Sequence, residues 1–238
     1  MFGTSLHDWR WILFIAIEGA DANGKATQST RVCEALGGRK VGTDLPYLGR
    51  CALYSFPRYE TPLGKAILRH LKREISVIEE PHGWKAEKVT APEDAMIFQC
   101  MMTIDKYIIA PEIISHLRSG LSVVADRWTV SAEIYGWLDG LDLGWLEAAQ
   151  AMLPKADVNI YLEVPVEESI RRRPKLRDRY EEDIAGQHKI RARYREVWET
   201  RAAFEGQNTW AIVDGVGGVE EVTQRIMHVI VMKSASRR

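Results

Sequence analysis

Apolar residues along the chain fall into two kinds of run. Five are short, unbroken and β-rich, at residues 11–17, 52–56, 121–125, 158–163 and 209–213. Unbroken runs of this length belong to strands covered on both faces, as in a parallel sheet. Between them lie stretches with helical periodicity, which predict helices at about 25–37, 62–73, 93–119, 131–137, 143–152, 166–173, 180–204 and 218–232. The alternation predicts a wound α/β fold, a five-stranded parallel sheet flanked by helices on both faces. Residues 74–92 mix two prolines, a glycine and several charges, and read as a surface excursion. No internal repeat or low-complexity tract interrupts the pattern, so residues 1–238 are expected to form one domain.

Composition adds bounds rather than identity. At 238 residues and 46% hydrophobic content the chain can bury a large core. Lys and Arg total 32 against 33 Asp and Glu, which excludes the global basic field that holds duplex nucleic acid. An anion site must then be local. The three cysteines, Cys33, Cys51 and Cys100, are odd in number and unpaired in spacing, which predicts buried thiols in a reducing compartment and no structural zinc. The run 11–17 is too short to span a bilayer, and Asp8 stands where a secretory signal would be basic. The expectation is a soluble cytoplasmic protein without membrane partners.

Directly after the first apolar run comes "EGADANGKATQST", residues 18–30. A glycine-rich turn between a buried strand and a helix presents backbone N–H groups to phosphate oxygens, and the helix N-terminus adds favourable partial charge. Gly19, Gly24 and Lys25 fit G-x-x-x-x-G-K-[ST], while the last slot holds Ala26 instead of a hydroxyl. A glycine turn beside a surface lysine would look the same. Three further stretches bear on the choice. "VVADRW" places Asp126 and Arg127 at the carboxyl end of the third strand, where ligands of open parallel sheets bind. A carboxylate there can hold Mg²⁺, and an arginine can fork onto phosphate; either could equally be a surface ion pair. "YSFPRYETPLG" brings Phe56, Arg58 and Tyr59 to the same edge, an aromatic face and a guanidinium suited to a nucleoside monophosphate, although Phe56 could be core. "RRRPKLRDRYEED" carries six basic residues in its first nine positions, which suits a lid over phosphates, a solvated face or a nucleic-acid patch.

Taken together, "FIAIEGADANGKATQ", "FPRYETPLG", "DRWTVSAEIYG", "LPKADVNIYLEVP" with the "DRYEED" that follows it, and "WAIVDGVGGVEEV" resemble, in family order, the thymidylate kinases of the P-loop nucleoside monophosphate kinase family. The resemblance covers nearly all of the chain. It implies a P-loop kinase fold with a helical arginine-rich lid at about 171–185, and transfer of the γ-phosphoryl of ATP to dTMP, giving dTDP, with Mg²⁺. It also implies a homodimer. By position, Gly19, Ala22, Asn23, Gly24, Lys25, Ala26 and Thr27 resemble the loop that wraps the ATP phosphates. Asp21 matches a loop carboxylate near the acceptor and, with Asp126, the metal, partly through water and phosphates. Arg127 matches the arginine on the acceptor phosphate. Phe56, Arg58 and Tyr59 match the acceptor-side strand end, and Ser131 and Tyr135 match positions beside base and deoxyribose. The family carries its catalytic arginine either in the loop or in the lid; Ala22 and Asn23 supply none, which leaves Arg173 and Arg177 in the lid.

Two positions depart from the family pattern. Where the family has a phenylalanine stacked on thymine and an arginine four residues later, this chain has Met102 and Lys106. Phe98 shares their helical face and could stack from one turn earlier, or Phe98 and Met102 could be core. The second departure is Ala26, which removes one direct Mg²⁺ contact from a site that keeps several waters. These departures leave open a kinase for another or modified deoxynucleoside monophosphate, a deoxynucleoside kinase, and a nucleotide-binding protein without catalysis.

Overall fold

The computed structural model describes residues 12–39, 48–72, 91–172, 180, 183–205 and 209–235. The elements follow the predicted alternation. Strand β1 (Phe14–Glu18) leads to helix α1 (Lys25–Ala35), and a two-residue antiparallel ladder pairs β2 (Gly38–Arg39) with β3 (Leu48–Gly49). Then come β4 (Cys51–Ser55), α2 (Pro62–Leu71), α3 (Ala91–Arg118), β5 (Ser122–Asp126), α4 (Thr129–Leu138) and α5 (Leu143–Gln150). The chain continues through β6 (Val158–Glu163), α6 (Val166–Arg171), α7 (Ile184–Glu205), β7 (Trp210–Asp214) and α8 (Val219–Ala235). Most of the surface excursion expected at 74–92 lies outside the described residues.

Five strands form one sheet in the order β4-β5-β1-β6-β7, every pairing parallel. Central β1 is buried along its whole length, and its side chains alternate between two cores. Ile15 and Ile17 pack on one face with Val32 and Cys33 of α1 and Ile226 and Ile230 of α8. Phe14 and Ala16 pack on the other with Ile109 and Ile113 of α3 and with Trp128. A second patch on that face is aromatic: Tyr161 of β6 stacks on Tyr194 of α7 at 5.1 Å and 10°, with Trp198 and Trp210 beside them. The period of two therefore survives inside an all-apolar run, because both faces are covered.

Local chemistry sets the element ends that matter for the site. Helix α2 starts at Pro62 with Thr61 as its N-cap, the hydroxyl accepting from the Gly64 amide at 3.0 Å and donating to the Arg58 carbonyl at 2.9 Å. A Cβ on Gly64 would lie 1.8 Å from that same carbonyl, so only glycine lets α2 approach the 56–59 loop. The Phe56–Pro57 peptide is cis. Cys33 and Cys51 are buried as expected, whereas Cys100 on α3 is partly exposed. Among the described residues, no helix is long and apolar enough to cross a membrane.

Ile226 tests the packing on the α1/α8 face. It is fully buried between α8 and the sheet, so Ile226→Ala is expected to lower the unfolding free energy by about 2–5 kcal/mol in urea titration. It should leave nucleotide affinity unchanged, because the side chain lies on none of the site-bearing turns.

Candidate active site

The carboxyl ends of β1, β5 and β6 lie side by side, and the loop after β1 sits over them at the point where strand order reverses. Gly19 has φ 148°, and a Cβ there would come within 2.1 Å of Asn23 Nδ2 and 2.8 Å of the Leu162 carbonyl. Gly24, with φ 93°, forms the start of α1 and has no side chain to cap it. The amides of Ala26 and Thr27 in the first turn of α1 are thereby left for an anion. Asn23 fastens the loop: its Nδ2 donates to the Leu162 carbonyl at 2.7 Å, and its Oδ1 accepts from the Lys25 amide at 3.1 Å.

Lys25 is almost wholly buried, its ammonium donating to the Ala20 carbonyl and to Asn23 Oδ1. Burial, reinforced by the nearby Arg127 guanidinium, pushes its pKa down to about 7. Asp21, Asp126 and Glu18 oppose that shift. Ala26 and Thr27 are exposed at the first turn of α1.

The side expected to take the acceptor centres on Arg127, which turns out of β5 in a left-handed conformation at φ 66°. Its amide donates to the Ile17 carbonyl at 3.0 Å, continuing the β1–β5 ladder by one bond. Its guanidinium donates to the Gly19 carbonyl at 3.0 Å and the Ser131 hydroxyl at 3.3 Å, pairs with Asp21, and lies over the Tyr135 ring. The Tyr135 hydroxyl donates to the other Asp21 oxygen at 2.7 Å. Beneath this cluster Glu18, fully buried, accepts from the amides of Trp128 at 2.8 Å and Ser131 at 3.3 Å. Its second oxygen takes the Ser131 hydroxyl.

A cleft opens beside Arg127. Asp21, Arg127, Ser131 and Tyr135 line it together with Tyr59, Phe98, Gln99, Met102 and Tyr180. The structure thus brings most of the expected acceptor residues to one cavity. Three are placed elsewhere. Phe56 is buried against Trp128 at 5.1 Å, in the core, because it continues the period of two of Ala52 and Tyr54 on the covered face of β4, its amide still donating to the Asp126 carbonyl. Arg58 is held by Asp105, its amide and Nε donating at 2.9 and 3.0 Å to the carboxylate. Lys106 is buried away from the cavity wall, its ammonium 3.4 Å from the Met102 carbonyl, and burial lowers its pKa to about 8. Arg173 and Arg177 lie outside the described residues.

Other contributors were not singled out by sequence. Arg172 reaches the phosphate loop, donating to the carbonyls of Asn23 at 3.4 Å and Gly215 at 3.1 Å while Glu168 accepts from its Nε at 2.8 Å. It belongs to the same basic run, one position before the residues expected to serve. Glu18 followed the predicted strand 11–17 directly and carried no signal of its own.

Metal-holding capacity rests on Asp126. Burial raises its carboxyl pKa against the opposing charges of Lys25 and Arg127, and its Oδ1 is buried without a hydrogen bond. An orphaned carboxylate oxygen at the strand end beside the loop fits a divalent cation completed by waters and phosphates. Asp21, also expected near the metal, has its oxygens engaged by Arg127 and Tyr135. Among the described residues no three acidic, histidine or cysteine side chains form a self-sufficient metal cluster.

A parallel sheet of this order, a glycine loop holding a buried lysine, and an arginine-lined cavity across the strand ends define a P-loop kinase. The thymidylate kinase family model matches residues 17–226. A probable thymidylate kinase from Pyrococcus horikoshii is 29% identical over 91% of this chain and 95% of its own length. The Homo sapiens thymidylate kinase is 24% identical over 89% and 86%. The solved structure of thymidylate kinase from Candida albicans superposes with a TM-score of 0.72 at 21% identity, covering 94% of this chain and 92% of that one. The chain belongs to the thymidylate kinase family.

Lys25 yields a pH-dependent signature. With a native pKa near 7 against an unfolded value of 10.5, the folded chain binds fewer protons between those limits. Burying the charge therefore costs most stability below pH 7, and the cost fades as pH rises to the unfolded value. ATP phosphates favour the ammonium, so binding at pH 8 is expected to take up about one proton, seen in calorimetry as a dependence on buffer ionisation heat. At pH 6 the uptake should vanish; buffer-independent heats at pH 8 would contradict a neutral Lys25.

Proposed function

We infer that this chain phosphorylates dTMP to dTDP with ATP as donor. The observation that carries the reading is the Arg127 cluster. One guanidinium touches a carbonyl of the phosphate loop, the loop carboxylate Asp21 and the cavity tyrosine, so the donor loop and the acceptor cavity meet at a single side chain. Transfer from ATP to a monophosphate asks the protein for alignment and charge neutralisation, with no covalent enzyme intermediate. An oxygen of the acceptor phosphate forms a bond to the γ-phosphorus. The bond between that phosphorus and the bridging oxygen breaks, and its electron pair leaves with ADP.

Each residue then has one task. The phosphate-loop amides and Lys25 hold the β- and γ-phosphates, and Arg172 adds positive charge at the loop rim. Arg127 holds the acceptor phosphate against them, and Asp21 with Tyr135 fixes its guanidinium in plane. Asp126 would hold Mg²⁺, which when bound supplies charge neutralisation at the phosphate oxygens. Arg173 and Arg177, which lie outside the described residues, are proposed as the catalytic arginines that add positive charge during transfer. A second copy of the chain pairs along α3, a proposal supported by the exposed apolar side chains Met96, Ile104 and Ile108 on one face of that helix. Unpaired Cys33, Cys51 and Cys100 suit a cytoplasmic location.

A coupled assay of ADP release tests the activity. Turnover is expected with dTMP, and Lys25→Met is expected to lower kcat by about 10²–10⁴-fold without lowering Tm. No turnover with dTMP, dUMP, dGMP or dCMP would overturn the reading.

A further inference from the structure

The acceptor cavity has a polar side, made by Asp21, Arg127 and Tyr135, and a wall from α2 and α3, made by Leu71, Phe98 and Met102. Phosphate and sugar belong with the first group, so a base would lie along the second. Phe98 is fixed there by stacking on His70 at 4.6 Å and 23°, and Met102 offers a soft apolar contact. Neither can recognise a Watson–Crick edge. Lys106 is turned into the protein toward the Met102 carbonyl and does not line the cavity.

Gln99 stands between them on α3 and lines the same cavity. It is 1% exposed, and its side-chain oxygen is buried without any hydrogen bond. A buried amide oxygen left unpaired destabilises the free protein, and such groups are rare enough in folded chains to require a reason. A ligand N–H would supply the missing donor. Thymine and uracil carry one at N3, on the edge opposite the sugar-bearing side of the ring.

We propose that Gln99 is the base-reading residue of this site, its Oε1 accepting the N3–H of a thymine or uracil whose ring lies against Phe98 and Met102. The proposal rests on the dTMP kinase reading and deepens it. Recognition thus comes from a neutral amide in the cavity wall, in a chain whose α3 lacks an arginine at the position of Lys106.

Two variants separate recognition from structure. Gln99→Met keeps the shape and removes the acceptor; Gln99→Glu keeps an acceptor oxygen at the same reach. For Gln99→Met the KM for dTMP and for dUMP should each rise about 10–100-fold, with the KM for ATP within about 2-fold of wild type. The free Gln99→Met protein should melt at or above the wild-type Tm, because an orphaned polar atom has been removed. Gln99→Glu should stay within about 5-fold of wild type for dTMP. An unchanged dTMP KM in Gln99→Met would overturn the assignment, as would equal impairment of the two variants. So would a fall in the Tm of free Gln99→Met by more than about 5 °C, the mark of a structural glutamine. Absence of dTMP turnover by the wild-type chain would instead overturn the kinase reading, and the assignment with it.

Discussion

The buried carboxylate of Glu18 is the constraint on which both halves of the site depend. It ends the central strand, lies entirely out of water, and spends its oxygens on the amides of Trp128 and Ser131 and the Ser131 hydroxyl. Those amides open α4, so the carboxylate does for this helix what an N-cap side chain does, from a strand more than a hundred residues earlier. A buried anion is tolerated only when its lone pairs are filled, and here they are. The consequence is geometric. With Ile17 accepting the Arg127 amide and Glu18 gripping the next turn, Arg127 is held in a left-handed conformation that a non-glycine residue adopts only under constraint.

From that anchor the chemistry follows in a short chain of contacts. Arg127 is aimed back across β1 at Gly19 and Asp21, so the loop after β1 and the turn after β5 are one rigid unit rather than two neighbours. Asn23 ties the same loop to β6. Three strand ends thus hold one loop, and Lys25 sits inside it with its pKa lowered by burial. A site organised in advance needs little rearrangement when charge moves during transfer.

The fold was legible because its signals are local. Unbroken apolar runs of five to seven residues announced a doubly covered sheet, and all five strands lie within a few residues of their expected limits. The geometry of the proposed donor loop was legible for the same reason, since Gly19, Gly24 and Lys25 lie within one short loop and the helix start that follows it. The acceptor half was legible only in part. Phe56 carried the right chemistry for a base, but Trp128 covers it from a segment seventy residues away. Arg58 was offered as a phosphate ligand, yet Asp105 on α3 holds it. Glu18, Gln99 and Arg172 went unremarked because their significance is an encounter between distant segments or an unfilled bond, and neither leaves a mark on the local pattern.

A double-mutant cycle between Glu18 and Arg127 tests this account most directly. Glu18→Gln, Arg127→Lys and the double variant would be compared by kcat/KM for dTMP at saturating ATP. If Glu18 acts by holding the Arg127 turn, the two losses overlap, and the double variant should be better than the sum of the singles by at least about 1 kcal/mol. Losses that add within about 0.5 kcal/mol would show that the buried carboxylate and the acceptor arginine work independently, contradicting the account.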